Sequence, residues 1–298
     1  MNEIILKENN IQLKDYMNKF LSYIDVADNT VKTYEVGLKS FAIYLHERGI
    51  KTPTREDIMN YKQYLKTIHK PNTINLYLAS IRNFYSWLEY EGITKDITKN
   101  VKGVKMEKRH LKRGLSKEEI KEIDKCCSNI RERVLIKLMV NCGLRCNEVA
   151  NIQLEDFYND KGIIMLKILG KGRDGEKQDI VKIDDRIYEL LKQYIEEYKI
   201  TDYLFVSTSN NNKNGKVTSK TIERIVTNLF KKANLDMKML SPHSTRHSTC
   251  ELALDMGVDL RTISEFMRHK SLQTTLVYSK EVDARKSTVA NQLADLIF

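Results

Sequence analysis

Glycine and proline are scarce along this chain, and their scarcity is the strongest constraint on what the chain can fold into. Only 12 Gly and 3 Pro occur in 298 residues, which excludes collagen-like and proline-rich architectures and favours long helices. A hydrophobic share of 41% with 30% charged residues is typical of a globular protein. Because one domain usually takes about 100–200 residues, we expect two domains, both rich in helix.

The first 93 residues predict a helical domain. Apolar residues recur at helical spacing over 13–26, and Thr54 followed by Asp57 matches a capping box that begins a later helix. Asn72 is the expected N-cap of the next helix. Residues 94–113 then hold eight Lys or Arg against two acids without a helical period, so we predict a basic interdomain linker there.

The pattern after this linker mixes helices with short strands. Ser116 and Glu119 form another capping-box match. Runs rich in β-branched residues at 162–169 and 177–183 flank a glycine-rich turn, which predicts an antiparallel hairpin. We therefore predict a mainly α fold with a small antiparallel β-sheet, divided into a domain at 1–93, the linker at 94–113 and a domain at 114–298.

Charge points to the class of partner. The formal net charge of +10 and the pI near 9.1 favour a polyanion such as nucleic acid, although lysine-rich proteins exist that bind no DNA. The sequence shows no signal peptide and no apolar run of membrane-spanning length. Its five cysteines form no repeating framework, so we expect reduced thiols, a cytoplasmic location and no membrane partner.

Four short motifs in the second half carry the chemistry. They are GLRCNE at 143–148, Lys171 in the hairpin turn, HSTR at 243–246, and Arg268-His269 followed nine residues later by Tyr278. Each alone is weak, because an Arg and a Glu three residues apart are usually a surface ion pair. In this order and spacing they resemble the tyrosine recombinase family, also called the lambda-integrase family, which includes the Xer and Cre recombinases.

The resemblance assigns the main catalytic roles. Tyr278 corresponds to the nucleophile, whose hydroxyl attacks the scissile phosphorus and forms a 3′-phosphotyrosyl bond. Arg145 and Arg246 correspond to the two arginines of the family. Their planar forks of N–H donors suit the negative charge that develops on the non-bridging phosphate oxygens.

The remaining site positions follow from the same resemblance. Lys171 aligns with the general acid that protonates the leaving 5′-oxygen. His243 is assigned to proton handling near the tyrosine, His269 to a hydrogen bond on the scissile phosphate, and Glu148 to holding an active-site cation. The family usually has Gly before its last histidine. Arg268 stands there in this chain and is expected either to crowd the turn or to contact a phosphate.

The resemblance also implies partners and an assembly. A SAM-like, core-binding N-terminal domain and the catalytic domain would clamp double-stranded DNA at inverted-repeat sites, as a homotetramer on two sites, with an accessory directionality protein left open. The C-terminal segment 282–298 would form a helix that docks in a neighbouring subunit, the alternative being that it folds back on its own domain. The basic side chains expected to contact the DNA backbone are Lys102, Lys105, Lys108, Arg109, Lys112 and Arg113.

Several rival functions use the same residues. A type IB topoisomerase or a relaxase-like nickase would apply the tyrosine chemistry to one DNA site, and a non-catalytic DNA-binding protein would be expected to lack part of the motif set. Cys142-x₃-Cys146 and His243-x₃-His247 resemble zinc ligands, but 96 residues separate the pairs. The turn at 170–176 lacks the phosphate-loop pattern. We therefore expect no metal, no cofactor and no ATP requirement.

Overall fold

The computed structural model describes residues 11–106, 112–170, 177–208, 215–287 and 289–297. The chain divides into two compact units, one within Met1–Arg109 and the other within His110–Phe298. Among the described residues, none of the helices combines the length and the apolar character that a membrane crossing would need.

Over its described residues, the first unit is a bundle of four helices around an aromatic core. Phe20 and Phe84 meet edge to face at 5.5 Å between ring centroids, and Tyr85 and Trp87 are buried beside them. The aromatic side chains of the last helix therefore pack the core. The helices are α1 (Ile11–Tyr23), α2 (Asp28–Glu47), α3 (Arg55–Ile68) and α4 (Pro71–Tyr90).

The helix ends of this unit follow local side-chain chemistry. The predicted capping box at the start of α3 is confirmed, because the Thr54 hydroxyl accepts from the Asp57 N–H at 3.4 Å and Asp57 Oδ2 accepts from the Thr54 N–H at 2.8 Å. The predicted cap at Asn72 is wrong, since α4 already begins at Pro71 with Lys70 as its N-cap. Proline suits this first position because its missing N–H would have had no partner inside the helix.

Part of the segment predicted as a linker packs against the first unit. Val101 is buried in its core, and the Asn75 side chain holds Val104 by two hydrogen bonds, of 2.8 Å to its N–H and 3.0 Å to its carbonyl. Lys62 Nζ donates to the Lys102 carbonyl at 2.7 Å. The side chains of Lys102 and Lys105 are exposed.

The second unit surrounds a small antiparallel sheet with helices. The strands are β1 (Phe157–Asp160), β2 (Ile163–Ile168) and β3 (Asp179–Lys182), in the order β1-β2-β3. The described helices are α5 (Lys117–Lys125), α6 (Ile130–Asn141), α7 (Cys146–Ala150), α8 (Asp185–Tyr198), α9 (Ser219–Lys232), α10 (Ser244–Asp255), α11 (Leu260–Phe266), α12 (Leu272–Lys286) and α13 (Val289–Ile297). The predicted fold class, mainly helical with a small antiparallel sheet, is confirmed.

The sheet shows where sequence patterns succeed and where they fail. The predicted hairpin is present as β2 and β3, which place the buried side chains of Leu166 and Val181 opposite each other. Strand β1 was not predicted from the sequence. It is only four residues long, ends in Asn159-Asp160 and contains no β-branched residue. Tyr203 and Val206 take part only in isolated bridges, with Gln153 and Lys216 respectively.

Helix α6 supports the candidate site from the apolar core of the second unit. It is apolar on most of its surface, and Val134, Leu135 and Leu138 are fully buried. Helix α10 packs against α6, α11 and α12, and the Thr249 hydroxyl ties α10 to α6 by donating to the Val140 carbonyl at 2.6 Å. The turn after α6, the start of α10 and the turn between α11 and α12 therefore converge.

Candidate active site

Arg145 and Glu148 lie at the start of α7. Arg145 is the N-cap residue, and its guanidinium contacts Glu148 Oε1 at 2.5 Å while its N–H donates to Glu148 Oε2 at 2.9 Å. The Arg145 side chain is 27% exposed and the Glu148 side chain 2%. Burial alone would raise the pKa of Glu148, but Arg268 and Arg145 outweigh it and hold that pKa below its usual value. The pair therefore presents a charged, fixed guanidinium to solvent.

Arg246 is buried in the first turns of α10. Its residue surface is 2% exposed, and its two terminal nitrogens donate to the carbonyls of Gly143, at 2.5 Å, and of Met267. Burial lowers the pKa of Arg246 to about 9, helped by the charges of Arg145 and Arg268. The guanidinium still carries its charge at neutral pH and joins the turn after α6 to the end of α11.

Two histidine rings contact the Tyr278 ring, and a third histidine contacts one of these two. His269 lies parallel to it, with 6.4 Å between ring centroids and 15° between planes, and His247 meets it edge to face at 5.0 Å. His243, at the N-cap of α10, lies 4.9 Å from His247. Burial raises the pKa of Tyr278 to about 12, against the pull of Arg246. The phenol is therefore protonated in the free protein.

His269 is oriented by a buried hydroxyl. Its Nδ1 lies 2.8 Å from the hydroxyl of Thr275, a fully buried residue in the first turn of α12. Burial lowers the pKa of His269 to about 4, with the charges of Arg246 and Arg145 acting in the same direction. The ring is therefore neutral at pH 7. When Thr275 donates to Nδ1, the proton lies on Nε2, which can donate to a ligand.

Six of the seven predicted catalytic positions can be placed, and they share one neighbourhood: Arg145, Glu148, His243, Arg246, His269 and Tyr278. Lys171 lies outside the described residues. The second arm of its hairpin is anchored, because Lys177 Nζ contacts Asp156 Oδ2 at 2.6 Å and Gln153 Oε1 at 2.8 Å.

Two residues near Tyr278 were not among the predicted site positions. His247 was considered only as a zinc ligand, although its spacing of four from His243 already places both on one face of a helix. Thr275 carries no signal in the sequence, because its importance comes from burial against His269.

The basic positions predicted to contact DNA differ in their surroundings. Lys112 Nζ donates to three carbonyls, those of residues 237, 238 and 240, at 3.0, 2.9 and 2.9 Å. An ammonium has three N–H donors, so all of them are engaged within the unit. The two terminal nitrogens of Arg113 donate to the two carboxylate oxygens of Glu119, at 2.6 and 2.7 Å. Lys108 and Arg109 lie outside the described residues.

The cysteines considered as metal ligands are free thiols with shifted ionisation. Burial raises the pKa of Cys142 and of Cys146 to about 12, so both are protonated thiols at neutral pH. Within the described ranges, no three His, Cys, Asp or Glu side chains come together as a metal site.

The chain matches the phage integrase family over residues 113–285 and the SAM-like N-terminal domain of phage integrases over residues 13–92. The first match covers more than half of the chain, so the chain belongs to the phage integrase family. The predicted resemblance to tyrosine recombinases, and with it the enzyme class, is confirmed by this match and by named relatives.

Relatives and solved structures agree with this placement. The tyrosine recombinase XerA of Pyrococcus horikoshii is 28% identical over 89% of this chain and 89% of its own length. The fold is shared with the XerH site-specific recombinase bound to difH substrate, with a TM-score of 0.73 at 20% identity over 93% of this chain and 96% of that one. A lambda integrase tetramer bound to a Holliday junction gives a TM-score of 0.69 at 18% identity, covering 90% and 76%.

Substitution of Gly143 tests how tightly the turn before Arg145 is packed. Gly143 has φ +58°, and an added Cβ would lie 2.8 Å from Met267 Sδ, whereas Gly162 has φ +87° with no atom within 4 Å of its Cβ position. We expect Gly162→Ala to cost about 1 kcal/mol of backbone strain, and Gly143→Ala to cost about 1–3 kcal/mol more through overpacking. Urea unfolding of both variants measures the difference. Equal losses would contradict the close packing.

Proposed function

We propose that this chain is a site-specific DNA recombinase that cuts and rejoins strands through a covalent 3′-phosphotyrosyl intermediate. The observation that carries the proposal is the position of Tyr278, half-buried between His247 and His269 and within the electrostatic reach of Arg145 and Arg246. In the proposed step, Tyr278 Oη bonds to phosphorus and the bond from phosphorus to the 5′-oxygen breaks. Attack by a second 5′-hydroxyl reverses the step on a new partner, so the bond energy is kept without ATP.

The two arginines supply the proposed electrostatic stabilisation. Arg246 is fixed by the carbonyls of Gly143 and Met267, and Arg145 by Glu148, so neither needs to reorganise when charge builds up on phosphate. Both retain further N–H groups beyond these contacts, since a guanidinium has five. The neutral His269 would add a hydrogen bond from Nε2 to the same phosphate.

Proton transfers complete the proposed cycle. A phenol with a pKa of about 12 must lose its proton as the bond to phosphorus forms. We assign this proton handling to His243, an exposed residue at the N-cap of α10 that lies next to His247. Lys171 is the proposed general acid for the leaving 5′-oxygen. Its support is the sequence match together with the anchoring of Lys177 on Asp156 at the base of the hairpin.

Double-stranded DNA with inverted-repeat sites is the proposed substrate. Support comes from the net charge of +10 and from the exposed side chains of Lys102 and Lys105. Lys108 and Arg109 remain proposed backbone contacts. The Lys112 ammonium is engaged with carbonyls and the Arg113 guanidinium with Glu119. For these two residues we therefore propose a stabilising role within the second unit in place of a DNA contact. The shared fold with XerH, solved with its difH substrate, supports the same substrate class.

The proposed biological role is integration and excision of a mobile element or resolution of chromosome dimers, through a Holliday junction. The alternatives, a topoisomerase of type IB or a relaxase-like nickase, use the same tyrosine on a single site. Plasmids that carry one or two copies of the target site separate them. We expect exchange products only with two sites, and relaxation or nicking of a one-site plasmid without any exchange would favour an alternative.

Removal of one oxygen tests the nucleophile. Tyr278→Phe keeps the ring that packs against His247 and His269, so folding and DNA binding should persist. A suicide substrate nicked beside the cleavage point should trap the wild type as a covalent complex with DNA and should not trap the variant. Tyr198→Phe, on the surface of α8, is the matched control and should trap as the wild type does. Equal trapping of Tyr278→Phe would refute the assignment.

Charge-conserving substitutions test the electrostatics. Arg145→Lys and Arg246→Lys keep the charge but lose the planar fork, so each should slow cleavage by about 10²–10³-fold. Arg186→Lys is the control, since Arg186 is exposed and pairs only with the neighbouring Asp184 among the described contacts. Cleavage by the wild type should survive EDTA, and strict dependence on a divalent ion would count against the mechanism.

Helix α13 is the proposed docking element of a homotetramer. Its apolar side chains Leu293, Leu296 and Ile297 are 50, 81 and 66% exposed, which favours docking on a second copy over folding back on its own unit. Tyr278 lies on α12, which directly precedes α13. Docking of α13 on a neighbour would therefore influence the helix that carries the nucleophile. The tetrameric lambda integrase complex supports this assembly.

Loss of this helix should separate assembly from folding. Truncation after Arg285 should leave monomer folding and single-site binding intact and sharply reduce synaptic complexes and recombination. Leu296→Glu should act in the same way, whereas Asn291→Glu adds the same charge on the polar side of α13 and should have little effect. Gel mobility of one-site and two-site complexes measures both steps. Unfolding of the truncated chain, or normal recombination by it, would refute the exchange.

A further inference from the structure

Arg268 occupies a backbone position that normally disfavours a side chain. Its φ is +53°, in the left-handed region that suits glycine. The side chain is nevertheless ordered inward, with only 5% of its surface exposed. A strained backbone and a buried guanidinium at one residue need a compensating interaction.

The guanidinium of Arg268 joins two turns of the site. Nη1 donates to the carbonyls of Cys142, at 3.2 Å, and Phe266, at 2.9 Å. Nη2 donates to the Gly143 carbonyl at 3.2 Å and to Glu148 Oε2 at 3.1 Å. Two terminal nitrogens carry four N–H groups, and these four acceptors engage all of them. No terminal N–H is left for a phosphate.

Glu148 needs more than one cation to stay ionised where it lies. Its side chain is 2% exposed, and a buried carboxylate is stable only when both oxygens are compensated. Arg145 covers Oε1 with its side chain, while Oε2 receives the Arg145 N–H and Arg268. Arg268 therefore completes the partners of the carboxylate that fixes Arg145.

We propose that Arg268 is a positioning residue that acts through Glu148: it holds the Arg145–Glu148 pair in place and locks the turn before Arg145 to the turn that carries His269. This inference rests on the proposed function, because its effect is read in DNA cleavage. In this chain the residue before the last histidine thus links two proposed catalytic segments through its side chain.

Three substitutions of Arg268 distinguish a positioning role from a side chain that merely fits into the turn. Arg268→Gly relaxes the backbone and removes the tie, Arg268→Gln keeps the Cβ without the charge, and Arg268→Lys keeps the charge without the fork. We expect single-turnover covalent trapping on the pre-nicked DNA to slow about 10–100-fold for Gly and Gln, because small displacements of catalytic groups cost up to about 10²-fold. Lys should recover part of the rate.

The matched control is Arg261→Gln in α11. Arg261 is 87% exposed and pairs only with Glu265 among the described contacts, so trapping should stay at the wild-type rate. If Arg268 merely fills the turn, Arg268→Gly should be the fastest of its three variants, since it alone removes the strain. That order, or equal rates for all three and the wild type, would overturn the inference.

A double-mutant cycle tests the route through Glu148. Glu148→Gln should slow trapping strongly when Arg268 is present. In the Arg268→Gly background it should slow trapping much less, because the Arg145–Glu148 pair is already displaced there. Additive effects would overturn the route. If Arg268→Gly does not fold by circular dichroism, Arg268→Gln carries the same comparison. A wild type that is never trapped refutes the proposed function and this inference with it, whereas trapping that is unaffected by Arg268 refutes the inference alone.

Discussion

The buried guanidinium of Arg246 is the interaction on which the second unit's geometry depends. Its terminal nitrogens bind the carbonyls of Gly143 and Met267, which belong to turns more than a hundred residues apart in the chain. Because an unpaired cation at this depth would be strongly destabilising, the Arg246 guanidinium must keep both carbonyls as partners and so holds the two turns together. Arg145 and His269 follow these turns directly, so packing within the unit sets the spacing of the proposed catalytic groups.

Burial also sets the charge state of the site in the free protein. His269 and Tyr278 are neutral at pH 7, with pKa values of about 4 and about 12. The arginines stay charged, and Glu148 compensates only part of their charge. An anion is the ligand that best relieves such a site, since a phosphate would neutralise the excess and accept the fixed donors. Burial and the charges of Arg246 and Arg145 likewise keep the His269 ring from binding a proton at pH 7.

Tyr278, the proposed nucleophile, packs in different surroundings from Arg145. Arg145 lies at the start of α7, whose Val149 and Ala150 belong to the main apolar core of the unit. Tyr278 packs instead on the small cluster formed by Cys250, Ile263 and Met267, to which α10, the helix of Arg246, contributes Cys250. Helix α12 then leads to α13, whose apolar side chains are exposed. A rigid set of charged groups beside a tyrosine that packs on a small cluster is consistent with the proposed dependence of cleavage on assembly. In that reading, the positioning tie of Arg268 belongs to the rigid set.

The sequence by itself determined the local features of this protein. The capping boxes at Thr54 and Ser116, the hairpin around 170–176 and the order of the motifs depend on neighbours within a few residues, so their patterns are readable. Tertiary structure alone decided the partners of Lys112 and Arg268, the role of Thr275 beside His269, and the place of His247 against Tyr278. Most of these contacts join positions distant in the chain, and whether a polar side chain faces DNA, a carbonyl or a buried carboxylate is settled by packing that no local pattern records.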